Sequence, residues 1–519
     1  MTKYILKIKV LIAIQILFST LCTIVLAAIP YLSMLLFDYD MGRGVRGLAL
    51  LVAVFALCVV LDSLFQYISQ KYEWKTGKEF RVELKKDVFE VVTKLSATQF
   101  MQKEVGEYIS IINNDVNVLE EEFLSGVIDI VKSAITVIVY GIVLFVLIDA
   151  RIATVIFATS LIATFVPGLT GKKLAIKRKV HLSALGVYTN VLQSLFQNRN
   201  IINTKTHATI ANRHLETLDF TEEKLLKFGI FKTFKNVING IMMHLLSLAN
   251  FAAVVILLYR GEITIGVGVA TIGFVEAFIY PIRYILNDIN MINGSKEARK
   301  QINMFLNQPI PVLAKCIGFK ECIKLENVTI KYDDFAINYD DLMFEKGKRI
   351  AIIGHSGSGK SSILNAITKG VVLETGVIYI DGVDVNCLDL ANIIAYVPQD
   401  SCMLQGNLQE NVTVFGAYKD TFTKDFENII DDKMWPSIVN TDDCRSLSGG
   451  EKQIVNLIRA LNAEAEILLL DEPFSALDNE TASRVLQYLM QKSRTVIMVT
   501  HKVSEEELGM FDKVVVIPT

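Results

Sequence analysis

Gly354-His-Ser-Gly-Ser-Gly-Lys-Ser361 is the stretch on which the reading of this chain turns. Its spacing, G-x-x-x-x-G-K-[ST], is that of a phosphate-binding loop. Glycines and small residues leave consecutive backbone N–H groups free to cradle phosphate oxygens, Lys360 reaches the outer phosphates, and the Ser361 hydroxyl is a ligand for Mg2+. The flanks agree: Arg349-Ile-Ala-Ile-Ile353 is a short β-branched run, and Ser362-Ile-Leu-Asn-Ala-Ile-Thr368 reads as a helix whose N-terminus faces the anion. Strand, loop and helix in that order predict an α/β P-loop domain. Gly354, His355, Ser356, Gly357, Ser358, Gly359, Lys360, Ser361 and Ser362 are its candidate nucleotide contacts.

Composition places that domain on an unusual chain. At 519 residues there is room for two or three domains. Hydrophobic residues make up 52%, and the mean hydropathy of +0.40 exceeds that of ordinary soluble enzymes. A net charge of −3 gives no basic field, so nucleic acid is not an expected partner. Nine prolines fit long uninterrupted helices. The seven cysteines form no metal-ligand spacing and are expected to be reduced thiols. Lys3, Lys7 and Lys9 precede an apolar run from Val10 to Leu36, too long for a signal peptide and read as a retained first span.

Apolar windows recur at Val10–Leu36, Leu48–Ile68, Ser133–Ile148, Ala153–Leu169, Val237–Leu258 and Ile265–Ile285. They predict about six transmembrane helices, each near the roughly 20 residues a bilayer requires. The connections at about Ser69–Lys132 and Gly171–Asn236 are long and rich in Lys and Arg, which puts them and both termini in the cytoplasm. Within them, Phe80–Val92 and, more weakly, Ala208–Phe220 keep helical apolar spacing, so the spans are expected to continue as helices beyond the bilayer. Gln308-Pro-Ile-Pro311 marks the end of this part. The expected division is 1–307 for the membrane domain, 308–320 for a link and 321–519 for the nucleotide-binding domain.

Beyond the phosphate loop, Ile467-Leu-Leu-Leu-Asp471 is a buried strand ending in a carboxylate, with Glu472 next. Asp471 suits Mg2+ held through water, and Glu472 suits a group that polarises the attacking water. Val496-Ile-Met-Val-Thr-His501 is a second such strand, ending at His501.

Leu447-Ser448-Gly449-Gly450-Glu451-Lys-Gln453 resembles the signature of ATP-binding-cassette (ABC) ATPases. In family order, Tyr332 resembles the aromatic residue that stacks on adenine, Gln399 the Q-loop, Asp478 in Ser475-Ala-Leu-Asp478 the D-loop, and His501 the switch histidine. The front half resembles the exporter-type transmembrane domain, with Gly106–Asp115 similar to its first coupling-helix region. The resemblance implies a membrane α-helical bundle followed by an α/β P-loop ATPase, with ATP and Mg2+ as cofactors. It implies a dimer with a second half-transporter subunit, each ATP lying between the phosphate loop of one subunit and the signature of the other. It also implies catalytic roles for Glu472, His501 and Gln399, and Mg2+ held by Ser361, Gln399 and, through water, Asp471. The chain departs from the pattern in carrying Asn440–Ser446 where exporters have Thr-x-Val-Gly-Glu, in a short Gln399–Ser448 interval, and in Glu451 where Gln is usual.

The function expected is ATP-driven export of an amphipathic or hydrophobic substrate, a small peptide, lipid or drug, from a cell membrane whose lipid surrounds the spans. Alternatives are import of a metal chelate on the same fold, or an ATP-gated channel or sensor, against which the intact Glu472 counts. Asp62 and Glu276 lie near mid-span, where a charge usually faces a bundle interior or watery cavity. They are the candidates to meet a cationic group on the substrate, the competing role being internal pairing. The double variant Asp62→Asn, Glu276→Gln separates the two. Transport lost from a normally assembled protein marks a substrate contact, whereas lost assembly marks a structural pair.

Overall fold

All six apolar windows become helix. In chain order the helical part comprises α1 (Thr2–Lys7), α2 (Lys9–Phe37), α3 (Val45–Lys94), α4 (Ala97–Phe100), α5 (Val105–Ile148), α6 (Ala150–Gln197), α7 (His207–Tyr259), α8 (Ile265–Gly294) and α9 (Lys296–Leu306). This computed structural model describes the chain except residues 41, 43, 310–317, 333–334, 356, 432, 493, 502–504 and 518–519. The side chains of 161–172, 175, 243, 246, 276, 279, 332, 335 and 505 also lie outside the described set, so Ser356, the Glu276 and Tyr332 side chains and most of the expected link do too. Two compact units divide the chain: Met1–Phe89 with Ile109–Asn307, and Glu90–Tyr108 with Gln308–Thr519.

In the first unit, α2, α3, α5, α7 and α8 are each long and apolar enough to cross a membrane. α6 begins with the apolar helical run Ala150–Ser160, just before its undescribed side chains. α3, α6 and α7 run for 50, 48 and 53 residues. At 1.5 Å per residue each exceeds about 70 Å, more than twice a hydrocarbon core of about 30 Å. The arms are therefore continuations of the spans. Gly106–Asp115, the stretch similar to a coupling-helix region, lies in the first turns of the long helix α5, and the short helix α4 before it is capped by a Ser96/Gln99 box.

Inside the unit, Ala27, Tyr140, Ile156, Val254, Phe274 and Phe278 form a buried core where α2, α5, α6, α7 and α8 converge. The apolar window of α3 buries none of its residues within the chain, as a lipid-facing helix should. α2 and α8 approach closely at their outer ends, where the Gly266 N–H donates to Asp38 Oδ1 at 2.9 Å. A Cβ on Gly266 would collide with the Met34 carbonyl, so only glycine permits this approach.

The second unit is built from two sheets. β1 (Cys322–Tyr332) pairs antiparallel with β2 (Phe335–Asn338), β3 (Leu342–Glu345) and β5 (Leu373–Ile380), and β5 pairs with β6 (Val383–Asp384). The other sheet is parallel, in the order β10 (Lys513–Ile517), β4 (Arg349–Gly354), β9 (Thr495–Val499), β8 (Ile467–Asp471), β7 (Ile394–Val397). Every residue of β8 and β9 is buried. Leu468, Leu470, Val496 and Met498 enter one core; Ile467, Leu469, Ile497 and Val499 enter the other. That is the two-faced burial that makes central parallel strands continuously apolar. Each such side chain contributes about 1.5–3 kcal/mol. α10 (Lys360–Ile367) covers one face, and α14 (Gly449–Asn462) with α15 (Asn479–Met490) the other. Among the described residues, the α-helices between β7 and α14 are α11 (Leu408–Val412), α12 (Thr423–Ile429) and α13 (Met434–Val439), a compact helical insert as the short interval predicts.

Candidate ATPase site

Parallel pairing sets the site. β4, β7, β8 and β9 end at one edge of the sheet, so the loops that follow them carry Gly354–Ser361, Gln399, Asp471–Glu472 and His501 to the same place. This is the carboxyl-end position at which open α/β sheets bind ligands.

Gly359, at the N-terminus of α10, sits at φ +89°, a left-handed conformation that favours glycine. A Cβ there would lie 2.5 Å from the Tyr339 hydroxyl, which itself donates to the Gly359 carbonyl at 2.8 Å. Lys360 is 4% exposed. Its ammonium donates to the carbonyls of Gly354 (3.1 Å) and His355 (2.7 Å), and burial holds its pKa below the ordinary lysine value. The cation is thus folded against the loop that presents the phosphate-binding amides.

The Ser361 hydroxyl donates to Asp471 Oδ1 at 2.8 Å. Asp471 is buried, and burial, with Glu472 adding to it, pushes its carboxyl above the usual range. The Tyr396 hydroxyl lies 3.4 Å from Asp471 Oδ2, and burial followed by that carboxylate pushes the phenol up as well. Tyr396, three residues before Gln399, is a site neighbour that sequence reasoning missed. Its signal was its place on β7, whose Tyr396 pairs Leu469 of β8 two residues before Asp471.

Glu472 is held from two sides. Gln399 Nε2 donates to Glu472 Oε2 at 3.1 Å, and His501 Nε2 lies 3.1 Å from Oε1. Its backbone has φ +47°, sparsely populated for a side-chain-bearing residue and of the kind found at functional sites. The β8–β9 register makes this geometry: Asp471 pairs Val499, and the Glu472 N–H donates to the Val499 carbonyl at 3.0 Å, two residues before His501.

The signature residues start α14. Ser448 is its N-cap, and Glu451 closes a capping box by accepting from the Ser448 N–H at 2.7 Å. The departure from the usual Gln therefore preserves the cap. Leu447 is buried beneath it. A Cβ on Gly450 would stand 2.7 Å from the Ala476 carbonyl, and Gln453 bonds both the Ser475 hydroxyl (2.8 Å) and the Ala476 N–H (3.1 Å). Signature helix and D-loop are thus locked together, with Asp478 capping α15 through the Thr481 N–H at 2.9 Å.

The divergent Asn440–Ser446 segment is tied into the same unit. The Cys444 N–H donates to the Gly406 carbonyl at 2.8 Å, and hydrogen bonds from Arg445 hold the Asp443 carboxyl down to about 2. Asp62 stands apart, in the other unit, where it accepts from the Cys22 thiol at 2.9 Å. Tyr332 closes β1.

Loop, carboxylate pair, glutamine and histidine define a P-loop nucleoside-triphosphatase joined to a membrane bundle. The comparisons make the class specific: residues 12–282 match the family described as ABC transporter transmembrane region, and residues 337–475 that described as ABC transporter. The chain belongs to the ABC transporters. An "ATP-dependent lipid A-core flippase" of Francisella tularensis subsp. holarctica (strain OSU18) is 25% identical over 505 residues, 92% of this chain and 80% of that one. A protein of the same title from Psychrobacter cryohalolentis is 24% identical over 473 residues, covering 85% and 77%. Among solved structures, a bacterial Atm1-family ABC exporter with ATP bound has the same fold, with a TM-score of 0.81 at 20% identity over 98% of this chain and 93% of that one. The protein is accordingly a multi-pass membrane protein with a cytoplasmic ATP-binding domain, and it couples ATP hydrolysis to transport. One membrane region and one ATPase share the chain, the half-transporter arrangement of a family that works in pairs.

Because burial disfavours ionised Asp471 in the folded domain, the unfolded chain loses this proton first as pH rises. Stability is then lost between the ordinary carboxyl range and the higher folded value. Asp471→Asn is expected to raise the melting temperature of the nucleotide-free ATPase domain, by about 2–4 °C for each kcal/mol regained, while ATP turnover falls at least tenfold. Calorimetry and phosphate release on the full chain check both; a lowered melting temperature at neutral pH contradicts the account.

Proposed function

We propose that this chain is one half of a dimeric exporter that moves an amphipathic or hydrophobic substrate by alternating access. The observation that carries the proposal is Glu472 held between Gln399 and His501 at 3.1 Å on each side, beside the Ser361–Asp471 pair. A chain with a degenerate ATPase, a channel or a sensor has no need of a complete hydrolytic constellation. Likeness to proteins titled lipid A-core flippase favours a lipid-like amphiphile as the cargo class. The functional division proposed is 1–307 for the membrane domain, 308–320 for the link and 321–519 for the ATPase.

The proposed roles follow the chemistry of each group. The amides from Gly354 to Ser362 cradle the phosphates, Lys360 turns from the Gly354 and His355 carbonyls to the outer phosphates, and Tyr332 stacks on adenine. The Ser361 hydroxyl and Asp471 carboxylate, already facing each other with Gln399 close by, are hard oxygen donors of the kind Mg2+ takes. When bound there, Mg2+ neutralises charge on the phosphate oxygens. Glu472 accepts a proton from the attacking water, and His501 and Gln399 keep its carboxylate aimed. Ser448, Gly449 and Gly450, leading α14 by its N-terminus, close over the γ-phosphate of the nucleotide held by the second subunit. Closing and reopening of that pair drives the membrane helices between two states.

Glu472→Gln is expected to retain ATP affinity within a few-fold while turnover falls about 100- to 10,000-fold, the range for loss of a general base. Nucleotide binding and phosphate release on the same preparation test it, and turnover near that of the unmodified protein removes Glu472 from the role. ATP hydrolysis by the chain purified alone favours a homodimer, and flipping of a labelled lipid in vesicles tests the cargo class.

A further inference from the structure

Arg459 is a cation without an anion. It lies on α14, 11 residues after Ser448, which puts about 16 Å of helix between it and the signature. Its side chain is half-buried and makes four hydrogen bonds, every one to a neutral oxygen. Nε donates to the Asn411 carbonyl at 2.8 Å, and Nη2 to Asn411 Oδ1 at 2.8 Å. Nη1 donates to the Cys402 carbonyl at 2.7 Å and to Asn456 Oδ1, one turn back on the same helix, at 3.0 Å. The ionisable groups around it are the Cys402 and Cys444 thiols and the Tyr418 phenol, and burial holds its pKa below the ordinary arginine value. A charge drawn out of water with no opposite charge beside it is costly. What offsets that cost here is the planar fork, whose donors meet several fixed oxygens at once.

Those oxygens belong to the stretch of chain that follows Gln399. Cys402 comes three residues after it, and Asn411, 0% exposed, gathers the turn between them and α11. Asn411 Nδ2 donates to the carbonyls of Leu404, Gly406 and Asn407 at 3.1 Å each, and its Oδ1 accepts from the Leu404 N–H at 2.9 Å. The Gly406 carbonyl also takes the Cys444 N–H, so the divergent Asn440–Ser446 segment hangs from the same knot. Three residues further along α14, Asn462 is 2% exposed. It accepts from the N–H groups of Thr421 (3.0 Å) and Phe422 (3.1 Å) and donates to the Val412 carbonyl (3.2 Å) and Asp420 Oδ1 (3.4 Å). Residues three apart share a helix face, so Arg459 and Asn462 fasten the chain from 402 to 422 onto one side of α14. One end of α14 carries the signature. The fastened stretch begins beside Gln399, whose amide holds Glu472.

We propose that Arg459 is a positioning residue that couples the two ATP sites of the dimer. The proposal rests on the dimeric reading above, in which Gln399 serves the nucleotide of its own chain and Ser448–Gly450 that of the other. Arg459 bonds to neither. It makes the stretch after Gln399 and the helix behind the signature one body, so a displacement of Gln399 when ATP enters its own site is carried to Ser448–Gly450. ATP at one site thereby raises the affinity of the other, and the effect is mutual. Lysine cannot take the place. Its ammonium keeps the charge but lacks the fork that meets Cys402 and both oxygens of Asn411.

The test compares the full chain in lipid with its Arg459→Lys variant. Binding is titrated with ATP in the Glu472→Gln background, where nucleotide is not consumed. The expected Hill coefficient is above 1 with Arg459 and 1 in R459K, with a loss of about 5-fold or more in the affinity of the second site. With Glu472 intact, turnover per titrated nucleotide site is expected to fall about 10- to 100-fold in R459K, as displacement of a distant positioning group does. Counting by titrated sites leaves unfolded molecules out, so a merely structural role moves neither readout. Equal Hill coefficients, or turnover per site unchanged in R459K, overturns the proposal. Light scattering separates two levels of failure. A monomer overturns the dimeric reading and the coupling together, whereas a dimer that binds ATP with a Hill coefficient of 1 overturns the coupling alone. Should R459K fail to assemble, Asn411→Asp is held to the same readouts: it keeps the oxygen facing Arg459 but removes the amide from the Leu404, Gly406 and Asn407 carbonyls.

Discussion

Parallel pairing of β4, β9, β8 and β7 is the constraint on which the catalytic geometry depends. Parallel strands end together, and each here is followed by a residue with a chemical task. The pairing of Asp471 with Val499 places Glu472 beside the strand end that reaches His501 two residues later, and the pairing of Val397 with Leu470 brings Gln399 to the same edge. Burial of β8 and β9 on both faces makes that register hard to change. A slip by one residue would exchange the two sets of apolar side chains between the two cores. The register that stabilises the domain is the one that assembles the site.

The site also stores cost. Glu472 is held at a positive φ, Asp471 is buried beside it, and Lys360 is turned onto carbonyls of its own loop. Each is less comfortable than an ordinary residue would be, and in the proposed function each would be relieved by a phosphate or cation of the right charge. Preorganisation of this kind is how a site gains in the bound state what it gives up in the free one. The Ser448–Glu451 box and the Gln453 bridge to Ser475 and Ala476 serve the same end, fixing the N-terminus of α14 against the D-loop.

The two halves of the chain were legible to different degrees. Motifs made of local spacing were plain: the phosphate loop, the apolar strand ending in Asp471-Glu472, the signature and the six apolar windows all appear where their patterns put them. Helical spacing at Phe80–Val92 foretold that α3 continues past the bilayer, because a period of 3.6 survives a change of surroundings. What local pattern missed depended on partners distant in sequence. Tyr396 matters through Asp471, 75 residues away, and Asp62 is answered by Cys22 on another helix. The short helix α4 had no signal in the sequence pattern, because four residues carry no periodicity to read.

By itself the sequence determined the class of the protein: a nucleotide-hydrolysing engine attached to membrane spans, with a candidate group for each catalytic task. Those features reside in short runs where residue type and spacing dictate chemistry. Only the tertiary structure decided how the groups face one another: Glu472 between Gln399 and His501, Glu451 as a cap, and Asp471 buried against the Ser361 hydroxyl. The reason is physical. Hydrogen-bond partnership and burial depend on which elements pack together, and a buried carboxylate differs from a solvated one only through neighbours that the chain supplies from elsewhere.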